Sequence, residues 1–332
     1  MDIRLKRCYK YHCKTCNNKL QKWGKTSAGS QRWRCIKCSP TAIHKRLDLS
    51  RSFVLEKFVS WLLGKSSQDE LEQSSRTFRY QTVWCWGVAP KPVLTGEIHH
   101  AVIVDGIRVG CMVCLIARTT TYVITWVWVP YESSQYWAEL FNILPPPNYV
   151  VCDGQKGLLK ALAICWPDVI LQRCRFHAWL NIKSKLTLNP ESKAAKELLQ
   201  ITRDLLHVRT RNQARRWKRQ LKYWYRRYHK FINERTIKHD PKRGERHWRY
   251  THERLRSAYK QLYKITDDLL RSSYRINQEL PHNTNHIEGG INSQIRTKLK
   301  LHRGMPQAHQ MRLVDWYLFN RTEDQKPTRN CL

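Results

Sequence analysis

The 332-residue chain predicts an α/β protein joined to basic helical and cysteine-bearing segments, and three observations carry that expectation. Between residues 101 and 171, short apolar runs alternate with amphipathic stretches in the order of three strands, a helix, a strand, a helix and a strand. Residues 181–275 follow a helical pattern, with Gly and Pro nearly absent between Ser192 and His239. Lys and Arg number 60 against 26 Asp and Glu, and the net charge of +34 excludes an ordinary neutral metabolic enzyme and points to a polyanionic partner. A hydrophobic content of 41% with 14 Trp is enough to bury a core. The longest apolar runs, Cys111 to Ala117 and Tyr122 to Val129, fall well short of the roughly 20 residues that a spanning helix needs, so no membrane partner is expected. The start, Met1 to Arg7, lacks the apolar stretch of a secretory signal, which predicts a reducing compartment and cysteines that are thiols or metal ligands.

In chain order, the first expected unit is residues 1–49. Cys13-x2-Cys16 is followed 18 residues later by Cys35-x2-Cys38, two knuckles that can present four thiolates to one tetrahedral Zn²⁺ ion. The spacer carries Trp23, Gly24, Gly29 and Trp33 and suits a hairpin, so a zinc ribbon is expected, with Cys8 and His12 as substitute ligands. Cys111 and Cys114 repeat the spacing inside a β-type run, where the two side chains point to opposite faces, and read as buried hydrophobes.

Residues 50–90 turn helical. Phe53, Val54, Phe58, Trp61 and Leu62 recur at helical spacing, Gly64 breaks the run, Ser67 with Glu70 forms a capping box, and a third helix can start at Ser75. A helix-turn-helix segment is expected, with Arg76 and Arg79 in the first turns of the helix that contacts DNA.

The catalytic part is expected in residues 91–180. Ala101 to Val104 reads as a buried strand ending at Asp105-Gly106, then come strands Cys111 to Ala117 and Tyr122 to Val129, a helix from Ser133 to Ile143, and a strand Tyr149 to Cys152 ending at Asp153-Gly154. A helix from Gln155 to Cys165 and a short strand Val169 to Leu171 complete the order, which is that of a ribonuclease-H-like mixed sheet. A carboxylate at the end of a buried strand pays a desolvation cost unless something pairs with it. Were the first and fourth strands neighbours, Asp105 and Asp153 would meet, and two Mg²⁺ or Mn²⁺ ions about 4 Å apart would neutralise them and serve phosphodiester chemistry. In residues 276–332, Asn285, Glu288 and Asn292 share a helix face and offer the third acid, Glu288.

Charge is unevenly spread. Residues 1–50 carry +11, residues 51–180 only +2, residues 181–260 +17 and residues 261–332 +4. The basic insertion, 181–275, is expected to be all-helical, with Leu198, Leu199, Leu205, Leu206, Trp217, Leu221 and Trp224 as its apolar stripe and Arg215, Arg216 and Arg219 among the groups that grip DNA phosphates. Trp217, Tyr223, Trp224, Tyr225, Tyr228, Trp248 and Tyr250 lie among the basic residues, where aromatics can stack on bases.

Asp105, Asp153, Cys174-x2-His177 after the fifth strand, a long insert and Asn285-x2-Glu288 together resemble the Mutator-superfamily DDE transposases, notably their bacterial insertion-sequence branch, over residues 100–320. The resemblance implies Asp105, Asp153 and Glu288 as the catalytic, magnesium-holding acids and Cys174, His177 and Asn285 as accessory residues. It also implies binding of the element's terminal inverted repeats by a homodimer or larger homo-oligomer, metal-dependent hydrolysis at the element ends, and attack of the freed 3′-hydroxyl on double-stranded target DNA. The location implied is the cytoplasm, on the bacterial nucleoid. The same residues leave open a silent or domesticated DNA-binding protein and another nuclease of the same fold, such as a junction resolvase.

Overall fold

The computed structural model describes residues 16, 18–27, 29–39, 41–43, 47–65, 70–71, 74–239, 246–274, 281 and 290–323. Cys8, His12, Cys13, Ser67, Asn285 and Glu288 lie outside the described residues. The chain divides into two compact units, one of residues 1–64, 68–88 and 326–332 and one of residues 65–67 and 89–325.

In the first unit, strands β1 (Gln21–Lys25), β2 (Gln31–Arg34) and β3 (Thr41–Ile43) form an antiparallel sheet in that order. Gly29, at φ +77°, closes the β1–β2 turn, its N–H bonding the Thr26 carbonyl at 2.9 Å; the spacer is a hairpin, as its glycines require. Helix α1 (Leu47–Leu63) follows, and α2 (Ser75–Thr82) begins at the Ser74 cap, whose hydroxyl accepts the Thr77 N–H at 3.3 Å. A 3₁₀ turn, Val83–Gly87, completes the unit. Its core is aromatic: Phe58 meets Trp86 edge-on at 4.7 Å, and Trp61 meets Phe78 at 5.0 Å. Leu55, Phe58, Val59 and Leu62 are buried, whereas Phe53, expected on that stripe, is exposed.

The second unit is built on a five-stranded sheet. Its elements are β4 (Ala101–Val109), β5 (Met112–Arg118), β6 (Val123–Val129), α3 (Ser134–Asn142), β7 (Tyr149–Cys152), α4 (Lys156–Cys165) and β8 (Ile170–Arg173). The strand order is β6-β5-β4-β7-β8, with β4–β5–β6 antiparallel and β4–β7–β8 parallel. Side chains alternate across the sheet. Val102, Val104, Leu115, Val150 and Cys152 pack with Trp137, Leu140 and Phe141 of α3 and Leu158, Ala161 and Leu162 of α4. The opposite face meets helices α10 (Ser293–Leu301) and α11 (Gln307–Phe319). There Trp126 and Trp128 each donate an indole N–H to one oxygen of the buried Asp315, at 2.8 and 2.7 Å, and Arg312 holds the other at 3.0 Å. Burial raises the Asp315 carboxyl above the usual range, and these three donors pull it back.

Two expectations for the sheet need correction. The first strand does not end at Asp105-Gly106: β4 runs five residues past Val104, to Val109, and the turn comes at Gly110, φ +59°, because β5 pairs with it from Ile103 to Val109. Cys111 therefore lies in that turn and is exposed, while Cys114 alone is buried.

Helix α5 (Arg175–Leu186) leads into the basic insertion, which continues with α6 (Lys193–Asp204), α7 (Arg211–Ile232), strands β9 (Arg235–His239) and β10 (Arg246–Tyr250), α8 (Glu253–Lys264) and α9 (Thr266–Leu270). It is not all-helical, since β9 and β10 pair antiparallel with Ile237 opposite Trp248 and Arg235 opposite Tyr250. The β-branched and aromatic residues of these two short segments favour pairing over helix. Its core is a continuous cluster from Ala178 to Leu270, centred on Trp217 and Trp224, whose indoles donate to the Ile201 carbonyl at 2.7 Å and the Ala194 carbonyl at 2.9 Å.

Candidate active site and metal centre

Parallel pairing sets the first two acids. Ala101 pairs with Tyr149, Val102 with Val150 and Ile103 with Val151, a constant offset that puts Asp105 level with Asp153. Asp105 lies within β4 on the face that meets α10, and Asp153 follows the last residue of β7. Asp105 is 8% exposed; one carboxylate oxygen accepts the Gly106 N–H at 3.0 Å and the other accepts the Asn292 side-chain N–H at 3.1 Å. Asn292 is itself buried, at the end of the π-turn that leads into α10, and its Oδ1 has no hydrogen-bond partner among the described residues. The helix region expected to bring the third acid thus reaches Asp105 through Asn292, four positions beyond Glu288 in sequence.

Asp153 is half-buried and accepts the Gln155 N–H at 2.8 Å, shaping the start of α4. Gly154 has φ +78°, and a Cβ there would strike the Arg173 guanidinium, which donates to the Asp153 carbonyl at 3.1 Å. Glycine at 154 is needed both for the turn and for the approach of Arg173.

Gly106 has a different reason. It is mid-strand, yet a Cβ there would lie 2.8 Å from Oε1 of Glu132, a half-buried residue in the link between β6 and α3. Burial first, and then the charge of Asp153, raise the Glu132 carboxyl above its ordinary range, against the opposing pull of Arg108, a Trp137 hydrogen bond and His177. Glu132 was not among the expected site residues; in sequence it is one acid in a Tyr-Glu-Ser-Ser stretch, with nothing local to single it out.

Cys174 and His177 fall beside Asp153 because Arg173 pairs with Cys152 and the Cys174 N–H bonds the Cys152 carbonyl at 2.8 Å. Cys174 is buried and caps α5, its Sγ accepting the His177 N–H at 3.4 Å. Between them, fully buried Arg175 donates to the Leu269 carbonyl at 2.8 Å, to Ser273 Oγ at 2.6 Å and to the Val208 carbonyl. Burial lowers its guanidinium to about 10. Arg175 ties the end of β8 to the insertion, a role the Cys-x2-His reading passed over. As a set, the described acids do not place their ligand atoms within 4.8 Å of one another; among the described residues only Cys16, Cys35 and Cys38 do so.

In that thiol cluster, Cys16 Sγ lies 3.4 Å from Cys35 Sγ and 3.3 Å from Cys38 Sγ. These separations are far above the roughly 2.05 Å of a disulfide and near the roughly 3.8 Å edge of a tetrahedron with 2.3 Å Zn–S bonds. The three can bind a metal such as zinc.

On the insertion, Arg215, Arg216 and Arg219 are exposed along α7, opposite the buried Ala214, Trp217, Leu221 and Trp224. Burial removes Trp217 and Trp224 from any role in base stacking, and Tyr225 is stacked on Tyr259 at 4.7 Å. Tyr223 at 67% and Trp248 at 52% exposure keep accessible rings, with the Arg235 guanidinium 4.1 Å above Trp248. In the first unit, Arg76 and Arg79 of α2 are exposed beside Tyr80. No helix among the described residues is long and apolar enough to cross a membrane.

Residues 123–240 match the family model described as Transposase, Mutator family. The matched span opens at β6 and closes at the end of β9, taking in Glu132, Asp153, Cys174, His177 and all of α7, while Asp105 and residues 276–332 lie outside it. No curated protein matches the chain. The family match supports a transposase role.

Proposed function

We propose that this protein is a DDE transposase of the bacterial insertion-sequence type, with a ribonuclease-H-like core in which Asp105, Asp153 and Glu288 hold two Mg²⁺ or Mn²⁺ ions. The observation that carries the reading is the level placement of Asp105 and Asp153 on adjacent parallel strands, with Asn292 hydrogen-bonded to Asp105. The donors fit such ions: carboxylates and a buried amide oxygen with no hydrogen-bond partner among the described residues are hard oxygen ligands of the kind that Mg²⁺ takes. When bound, the ions supply the polarisation of the phosphodiester and the activation of the attacking oxygen.

The chain's own residues do the rest. Asn292 and the Gly106 N–H fix the Asp105 carboxylate, and the Gln155 N–H and the turn at Gly154 fix Asp153. The exposed arginines of α7 hold phosphates of the flanking duplex, and Arg76 and Arg79 of a helix-turn-helix read the terminal repeats. Water is the first nucleophile, freeing a 3′-hydroxyl at each element end; that hydroxyl is the second, joining target DNA. A homodimer or higher homo-oligomer brings two ends together. Cys13 joins Cys16, Cys35 and Cys38 around one structural Zn²⁺ in a zinc ribbon, and the protein works on the nucleoid.

The test is incubation of labelled element-end DNA with supercoiled target and Mg²⁺. Joined product is expected. Nicking without joining would identify a nuclease of the same fold, and binding with neither reaction would identify a DNA-binding protein that has lost its chemistry.

A further inference from the structure

The insertion carries a second basic surface, separate from the arginines of α7. Helices α5 and α8 run antiparallel and are pinned at both ends. Arg175, at the start of α5, donates to the Leu269 carbonyl just beyond α8, and Lys185, in the last turn of α5, donates to Ser257 Oγ on α8 at 2.7 Å. Along this pair lies an open groove lined by Lys185 and by Arg256, Lys260 and Lys264 of α8, and no described residue of α7 lines it. Arg256, Lys260 and Lys264 stand four residues apart and form one stripe along the helix. Two of these cations are placed by neutral partners, which fix a charge without cancelling it. Lys185 is held by a hydroxyl, and Arg256 by the Asn233 side-chain oxygen at 3.0 Å and by the Tyr250 ring, whose centroid is 3.7 Å from the guanidinium. Among the described residues none of the four forms an ion pair, although Glu253 shares the groove. Fixing long cationic side chains costs rotamer entropy, and here it keeps unneutralised charge along an open channel.

The groove has a direction. Strands β7 and β8 are parallel, so α5 starts at the end of the sheet where Asp153 follows β7, and the antiparallel α8 brings Lys264 back to that end. Arg256 lies at the far end, beside Tyr250. From Arg175 to Lys185 the helix rises about 15 Å, the axial length of about four phosphates of one DNA strand, one for each cation. We infer that the α5–α8 groove is a track for one DNA strand, holding the phosphates that adjoin the bond at the acids, a different stretch of DNA from the one held by α7. The inference rests on the transposase reading above. Lys185, Arg256, Lys260 and Lys264 bind phosphates by charge, so the track takes any base sequence and sets which phosphodiester reaches Asp105 and Asp153.

The test is ethylation interference on labelled element-end DNA with the full-length protein, which reads out the phosphates needed for binding. The unaltered chain is compared with the double variant Lys260→Gln, Lys264→Gln, with the α7 triple variant Arg215→Ala, Arg216→Ala, Arg219→Ala, and with Lys160→Gln, at an exposed position on α4, as the control. The groove variant is expected to lose a contiguous block of phosphate contacts next to the cleaved bond, the α7 variant a separate block, and the control none. Its log–log salt slope should flatten by about 1.8, at about 0.9 for each of two phosphates. Lys260 and Lys264 are exposed, so the double variant should unfold as the parent does, and Lys260→Arg with Lys264→Arg, which keeps both charges, should restore the block. An unchanged block and slope in the groove variant, from a protein that cleaves ends, would overturn the track and leave the transposase reading standing. Loss of the same block in the groove and α7 variants would overturn it too. A block lost in the groove variant alone, from a protein that cleaves no ends, would keep the track and overturn the transposase reading.

Discussion

The sheet and the insertion obey the same packing rule and leave opposite residues outside. Each closes on its own apolar cluster, the sheet on Trp137 and Phe141, the insertion on Trp217 and Trp224. At the sheet, what remains at the carboxyl end of β7 and beside it is acid: Asp105, Asp153 and Glu132, in a stretch of nearly balanced charge. On α7 what remains is base, with Arg215, Arg216 and Arg219 exposed in a segment of +17. A polyanion is drawn by the second surface and repelled by the first unless cations sit there, so affinity and chemistry are held by different side chains and are separable by substitution.

The largest effect that would break this division is at the acids. Asp105→Asn and Asp153→Asn are each expected to lower cleavage by at least about a thousandfold, roughly 4 kcal/mol or more of transition-state stabilisation, scored on a gel of labelled ends. Next is the insertion's core. Trp217→Ala removes a fully buried ring together with its bond to the Ile201 carbonyl and should cost about 3–5 kcal/mol of stability, read from denaturant unfolding. Such a loss also weakens DNA binding by loosening α7, whereas Tyr223→Ala, at an exposed ring, should leave the unfolding free energy within about 0.5 kcal/mol of the parent.

Smaller, and sharper for the comparison, is salt dependence. Replacing Arg215, Arg216 and Arg219 together by Ala should flatten the log–log slope of DNA affinity against salt by about 0.9 for each phosphate that is no longer neutralised, with Asp105→Asn showing the parental slope. A slope unchanged in the triple variant would move the DNA grip away from α7. In the first unit, Cys35→Ser should cost the protein its bound zinc, measured by elemental analysis, because Cys35 is the buried member of the thiol cluster.

Much of the sheet was legible because its elements carry local punctuation. Ser133 caps α3 through the Tyr136 N–H, and Tyr149 to Cys152 is a fully buried strand with the predicted ends. Asp105 was expected at a strand end and lies inside the strand instead, since Asp-Gly reads locally as a turn and only pairing with β5 carries the strand through it. The β9–β10 hairpin was missed because its ten paired residues are rich in Arg and Lys, and their extended conformation is set by cross-strand pairing rather than by an apolar alternation. Glu132 and Arg175 were illegible for a further reason: each acquires its meaning from partners distant in sequence, Gly106 and Asp153 for one, Leu269 and Ser273 for the other. The cysteine spacing could be read directly, and three of its four residues gather in the structure.

The most direct measurement of the central claim takes the unaltered protein, Asp105→Asn, Asp153→Asn and Glu288→Gln and scores end binding and end cleavage on the same samples with Mg²⁺ present. The account predicts that all four bind element ends equally or, in the variants, somewhat more tightly, since a negative charge near phosphates is gone, while only the unaltered protein cleaves and joins. Full cleavage by any one variant would remove that acid from the site, and parallel loss of binding and cleavage in all three would contradict the separation of grip from chemistry on which the account stands.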